Sequence, residues 1–197
     1  MKLKHGVNYS VTGGKRVTMD KVMPALDFRV MALSFKLRDF FSPRMNVLRE
    51  VGLKPGFHVL DYGCGPGSYL PALVQLVGDS GQIYALDIHP LAIQQVQNIV
   101  ARRGFTSIKT ILSDGHTGLA GGSIDAVLLY DILHGLSEPD RVLAELHRIL
   151  KPEGILSSND HHLKADEIIT RITSRGLFRL AVKGRKVFNF AREERKA

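Results

Sequence analysis

Residues 59–70 read VLDYGCGPGSYL. An apolar run closes on an acid, Asp61, and three glycines, Gly63, Gly65 and Gly67, follow within five positions. Directly afterwards Leu70, Leu73, Val74 and Val77 take up helical spacing. A loop of this composition turns sharply and brings bare backbone N–H groups within hydrogen-bonding distance of a ligand. Strand, glycine loop and helix therefore follow one another here, and the rest of the chain extends the pattern.

GQIYALDI (81–88) reads as a second strand, followed by a helix that opens at Pro90 and carries Ala92, Val96, Ile99 and Val100. Arg102 and Arg103 suit the negative end of that helix, and Gly104 suits a left-handed stop. SIKTILSD (107–114) is a third strand and IDAVLLYDIL (124–133) a long fourth. SEPD (137–140) resembles a capping box with Asp140 in place of glutamate, leading into a helix with Val142, Leu143, Leu146, Ile149 and Leu150 inward. KPEGILSSND (151–160) reads as a turn and a fifth strand, followed by a helix over Ala165, Ile168, Ile169 and Ile172. LFRLAVKGRKVFNFA (177–191) then reads as a hairpin about Lys183-Gly184-Arg185. Five β–α alternations with nearly continuous apolar strands imply an α/β fold. It is a Rossmann-like, doubly wound, seven-stranded sheet, mostly parallel, with one antiparallel strand from the C-terminal hairpin.

Ahead of this lies a helical stretch from Pro24, with Val30, Leu33, Leu37, Phe40 and Phe41 on one stripe. SPRMNVLREVG (42–52) adds a helix with a Ser42 cap and a Gly52 stop. The domain reading is a flexible basic segment over 1–20 and a single domain over 21–197. Within it, helices in 21–54 contribute to a pocket, with Phe28, Phe35, Phe40 and Phe41 as candidate walls.

The chain has 197 residues, a formal net charge of +8 and one cysteine, Cys64, so no intrachain disulfide and no cysteine metal cluster can form. Charge is uneven: residues 1–54 carry +7, residues 164–197 carry +6, and the section between carries −5. Basic ends attract nucleic acid, anionic lipid or acidic ligands, or simply keep terminal arms solvated. No apolar run approaches the roughly 18 residues that span a bilayer, and the first 20 residues lack the apolar centre of a secretory signal. A cytoplasmic location is the expectation.

In a sheet of this kind ligands bind beyond the carboxyl ends of the strands. Asp61, Asp87, Asp114, Asp131 and Asp160 all fall at such ends. Asp87, 26 residues after Asp61, can accept from both hydroxyls of a ribose, so loop and acid together specify a nucleoside-containing cofactor. The dinucleotide fingerprint G-x-G-x-x-G is not met: from Gly63 the chain gives serine at the last position, its third glycine one residue early. No Gly-Lys-Ser/Thr follows to make a phosphate loop. Asp61 is a poor neighbour for a pyrophosphate and better suited to a cofactor carrying an ammonium and a sulfonium.

VLDYGCGPGSYL, IYALDI, SDG and IDAVLLYDILHGLSEPDRVLAELHRILKPEGIL together resemble the class I S-adenosylmethionine-dependent methyltransferases. They look most like the branch containing the ubiquinone and menaquinone biosynthesis enzymes and related small-molecule methyltransferases. The resemblance covers roughly residues 45–160 and implies S-adenosyl-L-methionine as donor and S-adenosyl-L-homocysteine as product. It also implies roles: Asp61, Gly63, Gly65 and Gly67 around the methionine moiety, Asp87 on the ribose and Ile88 on the adenine. Asp114 would accept from the adenine amino group with Gly115 and His116 backbone nearby, and Tyr130 backbone would border the methionyl end. Cys64 is read as a small residue of the loop.

Methyl transfer from a sulfonium is a direct displacement, so the enzyme chiefly aligns the reactants. A base is needed only if the acceptor must lose a proton. His134 after the fourth strand and His161 or His162 after the fifth are the candidate bases, with His134 and His161 taken as the catalytic pair and the His161–His162 pair also read as a substrate contact. Asp131 and Asn159–Asp160 sit where catechol-type O-methyltransferases place magnesium ligands. The order is Asn-Asp rather than Asp-Asn and the neighbouring sequence differs, so no metal is expected. YDIL at the end of the fourth strand lacks the Asn-Pro-Pro-Tyr/Phe of base N6-methylation. A small, apolar or aromatic acceptor is therefore expected. Nucleic acid or protein as acceptor, or cofactor binding without transfer, stand as alternatives. Nothing in the sequence bears on oligomeric state.

Overall fold

The computed structural model describes residues 22–41 and 44–194, with residues 35–41 described by backbone alone. The strands are β1 (His58–Tyr62), β2 (Gln82–Asp87), β3 (Ile108–Leu112), β4 (Ile124–Tyr130), β5 (Leu150–Asn159), β6 (Phe178–Lys183) and β7 (Phe188–Arg192). The helices are α1 (Ala25–Phe41), α2 (Met45–Leu48), α3 (Leu70–Val77), α4 (Pro90–Arg103), α5 (Pro139–Ile149) and α6 (Ala165–Thr173). One seven-stranded sheet runs in the order β3-β2-β1-β4-β5-β7-β6. β1 through β5 are parallel, and β7 alone runs against its two neighbours.

Alternation along each strand builds two cores. Val59, Ala126, Leu128 and Tyr130 face one layer with Leu70, Leu73 and Val77 of α3 and Ile93 and Val96 of α4. Leu60, Val127 and Leu129 face the other with Val142, Leu143 and Leu146 of α5 and Ile168 and Ile172 of α6. A strand with both faces buried must be apolar throughout, which is why β4 reads IDAVLLY. Its one acid is tied off, Asp125 accepting from His58 N–H at 2.8 Å and from Lys151 Nζ at 2.6 Å. The chain order reverses between β1 and β4, and the loops at their carboxyl ends diverge there to leave a cleft.

Several local expectations are corrected. Only four of the five β–α alternations carry a helix, because β3 passes to β4 through loop residues 113–123. β4 stops at Tyr130 rather than running to Leu133: Asp131 takes φ 55°, a left-handed conformation that no strand accommodates. A short 3₁₀ turn, Leu133–Gly135, follows. SEPD makes no capping box; Glu138 is the N-cap of α5 without a side-chain cap, and it pairs instead with Arg141 at 3.0 Å. KPEG is not a turn, since β5 already begins at Leu150. Ile124 pairs with Leu150 and Ala126 with Ile155, so the extra residues around Pro152 form an irregularity in the ladder. In 42–52 the helix is only Met45–Leu48, and the expected cap at Ser42 lies outside the described residues, as does the segment 1–20.

The largest departure concerns α1. Phe28 and Ala32, with Met23, pack on Ala92 and Leu91 at the start of α4. Val30 and Leu33, read on one apolar stripe, are exposed. The side chains of Phe35, Leu37, Phe40 and Phe41 lie outside the described residues.

Gly67 decides how tightly the glycine loop meets the helices behind it. It holds φ +84°, and a Cβ there would sit 2.8 Å from Leu70 Cδ1 and 3.3 Å from Val96 and Ile99 methyls. Strain and crowding add, so Gly67→Ala is expected to lower stability by roughly 1–3 kcal/mol, read as a lower denaturant midpoint at unchanged slope.

Candidate functional site

The cleft above the carboxyl ends of β1, β2 and β4 is a cavity of about 750 Å³, covered on one side by Met23, Phe28 and Met31 of the α1 region. Its floor is the glycine loop. Gly63 and Cys64 N–H donate to the Leu86 carbonyl at 2.8 and 2.9 Å, which ties the loop to the end of β2. Gly63 has φ +76°, and a Cβ on it would collide with Ile132 Cδ1 across the cleft. Ile132 fills the space between the ends of β1 and β4, so no side chain fits on Gly63.

Asp87 completes the loop. Its Oδ2 accepts from Gly65 N–H and its Oδ1 from His89 N–H, both at 2.8 Å. Burial raises the Asp87 carboxyl above its usual range, and the backbone donors at His89 and Gly65 work against that rise. Asp61 lies beside it, buried, lining the cavity. Among the described residues its Oδ2 has no hydrogen-bond partner. Burial, and secondarily repulsion from Asp87, push the Asp61 carboxyl up to about 7. A buried carboxylate oxygen lacking a partner is the acceptor that an ammonium group needs. The residues present thus fit a cofactor with a cationic amino-acid end at Asp61 and a hydroxyl-bearing part at Asp87.

His89 was not singled out in the sequence and organises the cover. Its Nδ1 accepts from Leu91 N–H at 3.1 Å, capping α4, so the proton sits on Nε2 and is donated to the Met23 carbonyl at 3.1 Å. Its ring stacks on Phe28 with centroids 4.4 Å apart. One imidazole therefore fastens α1 to the mouth of the cofactor cleft. Histidine at the N-cap before Pro90 was the only available signal, and a helix cap is the ordinary reading of it.

At the other end of the cavity three imidazoles stack. His162 lies between His134, at 4.2 Å centroid separation, and His161, at 3.8 Å. His134 donates its backbone N–H and its Nδ1–H to Asp160 Oδ2, both at 2.9 Å. His161 does likewise to Asp131 Oδ1, at 3.1 and 2.7 Å. The left-handed Asp131 that ends β4 is what aims its carboxylate at β5's loop, a strained geometry of the kind found at functional sites. Burial would raise the Asp160 carboxyl, but the bonds from the His134 side chain and from His134 and His162 N–H outweigh it and lower it. The His162 imidazole is lowered by burial and by repulsion from His134 and His161, against a smaller pull from Asp160 and Asp131. Among the described residues no hydrogen bond reaches its ring nitrogens, and its backbone N–H goes to Asp160 Oδ1 at 3.0 Å.

Of the residues expected from sequence, Asp61, Gly63, Gly65, Asp87, Ile88, Asp114, Tyr130, His134 and His161 line this one cavity. Gly67, Gly115 and His116 do not: Gly67 faces α4, Gly115 packs toward Tyr62 Oη, and His116 Nδ1 accepts from Gly118 N–H. Tyr130 turns its hydroxyl to Ser157 Oγ at 2.9 Å and its ring to Tyr69, 5.1 Å away. Cys64 is buried, and burial together with the Asp87 and Asp61 carboxylates drives its thiol upward, away from nucleophilic behaviour. Among the described residues no group of three or more His, Cys, Asp or Glu side chains is placed to hold a metal.

Two measurements test the geometry. Between pH 3.8 and about 7 the folded chain retains a proton on Asp61 that the unfolded chain has lost, so stability falls as pH rises through that window. Asp61→Asn removes this titration. Thermal melts are expected to show the variant gaining on the native chain from about pH 4 to about pH 8, by up to roughly 4 kcal/mol. His89→Ala removes a cap of about 1 kcal/mol and the stack on Phe28, and is expected to make the bond after Arg29 an early trypsin site.

A methyltransferase-domain model matches residues 53–191. Demethylmenaquinone methyltransferase of Geobacillus stearothermophilus is 30% identical over 113 residues, 57% of this chain and 48% of that enzyme. Ribosomal RNA large subunit methyltransferase E of Methanocaldococcus jannaschii is 36% identical over 90 residues, 46% of this chain and 34% of that enzyme. The chain spans about half or less of the length of these curated relatives. An S-adenosylmethionine-dependent methyltransferase from Aquifex aeolicus superposes with a TM-score of 0.69 at 27% identity, covering 81% of this chain and 97% of that one. Glycine loop, strand-end acids, sheet order and family model agree: the chain belongs to the methyltransferase-domain family and has the class I S-adenosylmethionine-dependent methyltransferase fold.

Proposed function

We propose that the protein transfers a methyl group from S-adenosylmethionine to a small, apolar or aromatic acceptor. The observation that carries this is one continuous cavity with the acids of β1 and β2 at one end and the histidine stack at the other. Its cover is Met23, Phe28 and Met31. S-adenosylmethionine supplies an electrophilic methyl on a sulfonium. Asp61 balances the ammonium of its amino-acid end, Asp87 accepts from the ribose hydroxyls with lone pairs its backbone donors leave over, and Ile88 packs on the adenine. Asp114 is the acceptor for the adenine amino group. The glycine loop and Tyr130 would border the methionyl end.

Alignment contributes most of the rate in such a displacement, on the order of 7–11 kcal/mol. Proton removal falls to the histidines. A base must be neutral before it acts, and His162 is the imidazole whose surroundings favour the neutral form. His134 and His161, each held through Nδ1 by a carboxylate, position it and offer their Nε2 edges to the acceptor. Acceptors with an ionisable hydroxyl or enol suit this arrangement.

Labelled S-adenosylmethionine incubated with cell extract, then separated into metabolite, RNA and protein fractions, tests the reading. Label is expected in the metabolite fraction, and label in RNA with steep loss on adding salt would replace the small acceptor by a nucleic acid. Asp87→Ala is expected to weaken cofactor binding at least about tenfold in calorimetry. His162→Gln is expected to keep cofactor affinity and lose roughly 10²-fold or more in transfer.

A further inference from the structure

The third strand ends unlike the first two. β1 and β2 are followed by helices, whereas β3 gives way to loop residues 113–123, which form none. Backbone groups in such a loop still require partners. Asp114 of this loop is exposed and lines the cavity, and among the described residues no hydrogen bond reaches its carboxylate. Whatever holds the loop backbone therefore sets where that carboxylate stands.

One face of α5 does the holding. Arg141, Glu145 and Arg148 stand at i, i+4 and i+7, so they project along one side of the helix. Arg141 Nη2 donates to the Asp114 carbonyl at 3.2 Å. Glu145 Oε1 accepts from Thr117 N–H at 3.1 Å and from the Thr117 hydroxyl at 2.5 Å. Arg148 Nη2 donates to the Leu119 carbonyl at 2.8 Å. Donor, acceptor and donor on the helix thus meet acceptor, donor and acceptor on the loop, in the same order along both. Glu145 is the middle member and the best protected, its side chain 14% exposed against 57% for Arg141 and 44% for Arg148. Bonds from Arg148, and then from Thr117, hold its carboxyl down to about 2 against the opposing effect of burial, so it stays an ionised acceptor. Thr117 is buried, and its Oγ1 accepts in turn from Leu119 N–H at 3.2 Å.

The loop is also fixed on either side of Asp114. Ser113 N–H donates to the Asp87 carbonyl at 3.1 Å. Gly115 takes φ +126° and lies so close to Tyr62 that a Cβ on it would sit 2.9 Å from Tyr62 Oη. An exposed carboxylate selects a ligand only when its backbone is ordered beforehand, since ordering it on binding would consume what the new bond contributes. We infer that Glu145 is a positioning residue for base selectivity: by fixing Thr117 it holds Asp114 where it accepts from a 6-amino purine and repels a 6-oxo purine. This rests on the reading that places the adenine amino group at Asp114.

The test is calorimetry of the full chain with S-adenosylhomocysteine and with S-inosylhomocysteine, which presents a carbonyl in place of the amino group. The native chain is expected to prefer the adenosyl compound at least about tenfold, one charge-assisted bond being at stake. Asp114→Ala is expected to bring the ratio of the two affinities to about one. Glu145→Ala is expected to do the same while changing affinity for the inosyl compound by no more than about threefold. Glu145→Gln keeps an oxygen for Thr117 and is expected to retain part of the preference. Thr117→Val, which loses only the hydroxyl bonds, is expected to lower the ratio as well, and carries the test where Glu145→Ala melts below the assay temperature. A merely structural Glu145 would weaken both ligands alike and leave the ratio native, and that result overturns the inference. So does Glu145→Ala with both affinities unchanged. A native chain without preference, or Asp114→Ala that keeps it, overturns the placing of the adenine and the inference with it.

Discussion

One carboxylate holds the site together. Asp87, at the end of β2, accepts from Gly65 N–H in the loop after β1 and from His89 N–H at the start of α4. The loop's glycines have no side chains with which to hold it; Gly63 and Cys64 N–H bond to the Leu86 carbonyl, and Ile132, just after β4, packs against Gly63. Two charge-assisted bonds from a buried acid supply that order, and they act in a low-dielectric environment where each is stronger than in water. Through His89 the same acid reaches the α1 region, because the residue whose N–H it holds caps α4 and fastens Met23 and Phe28. Loop, helix start and cover share one anchor.

Beside that anchor the fold keeps Asp61 with an unsatisfied oxygen. Isolated, this is a cost to stability, since two carboxylates lie close together in a buried place and one is driven toward its neutral form. A cation offsets the cost, and binding then recovers energy that folding left unspent. The histidine end works by the opposite logic. Asp131 and Asp160 are satisfied by His161 and His134, which fixes two rings and leaves the third between them without a carboxylate of its own. The cleft thus has a buried carboxylate oxygen without a partner at one end and, at the other, a stack in which the outer two imidazoles are tied to carboxylates and the middle one is not.

Much of this was legible in the sequence where a local rule governs the residue. Gly104 stops α4 because only a left-handed residue ends it there, at φ 65°. The apolar run 124–130 is a strand because the sheet is covered on both faces. Asp61 and Asp87 could be assigned to the cleft because strand ends face it. Where the reading missed, a shifted helix start or a long-range contact had overridden the expected local one. Ser137 is left uncapping because α5 starts a residue later, and Asp131 ends β4 because its carboxylate is drawn across to His161. Gly67 looked like a ligand contact and proves to be the space that α4 needs.

Spacing and residue type alone determined the sheet, its mostly parallel direction and the placing of Asp61 and Asp87 at strand ends that face the cleft. These depend on backbone conformation and on a two-residue or four-residue repeat, which any stretch of the chain declares by itself. Only the tertiary structure decided which histidine is tied and which is not, that His89 fastens the cover, and that Val30 and Leu33 of α1 face outward. Each depends on partners roughly 30 to 70 residues away, or on which of two apolar faces wins the packing against α4. A side chain's neighbours across a fold are not encoded in its neighbours along the chain.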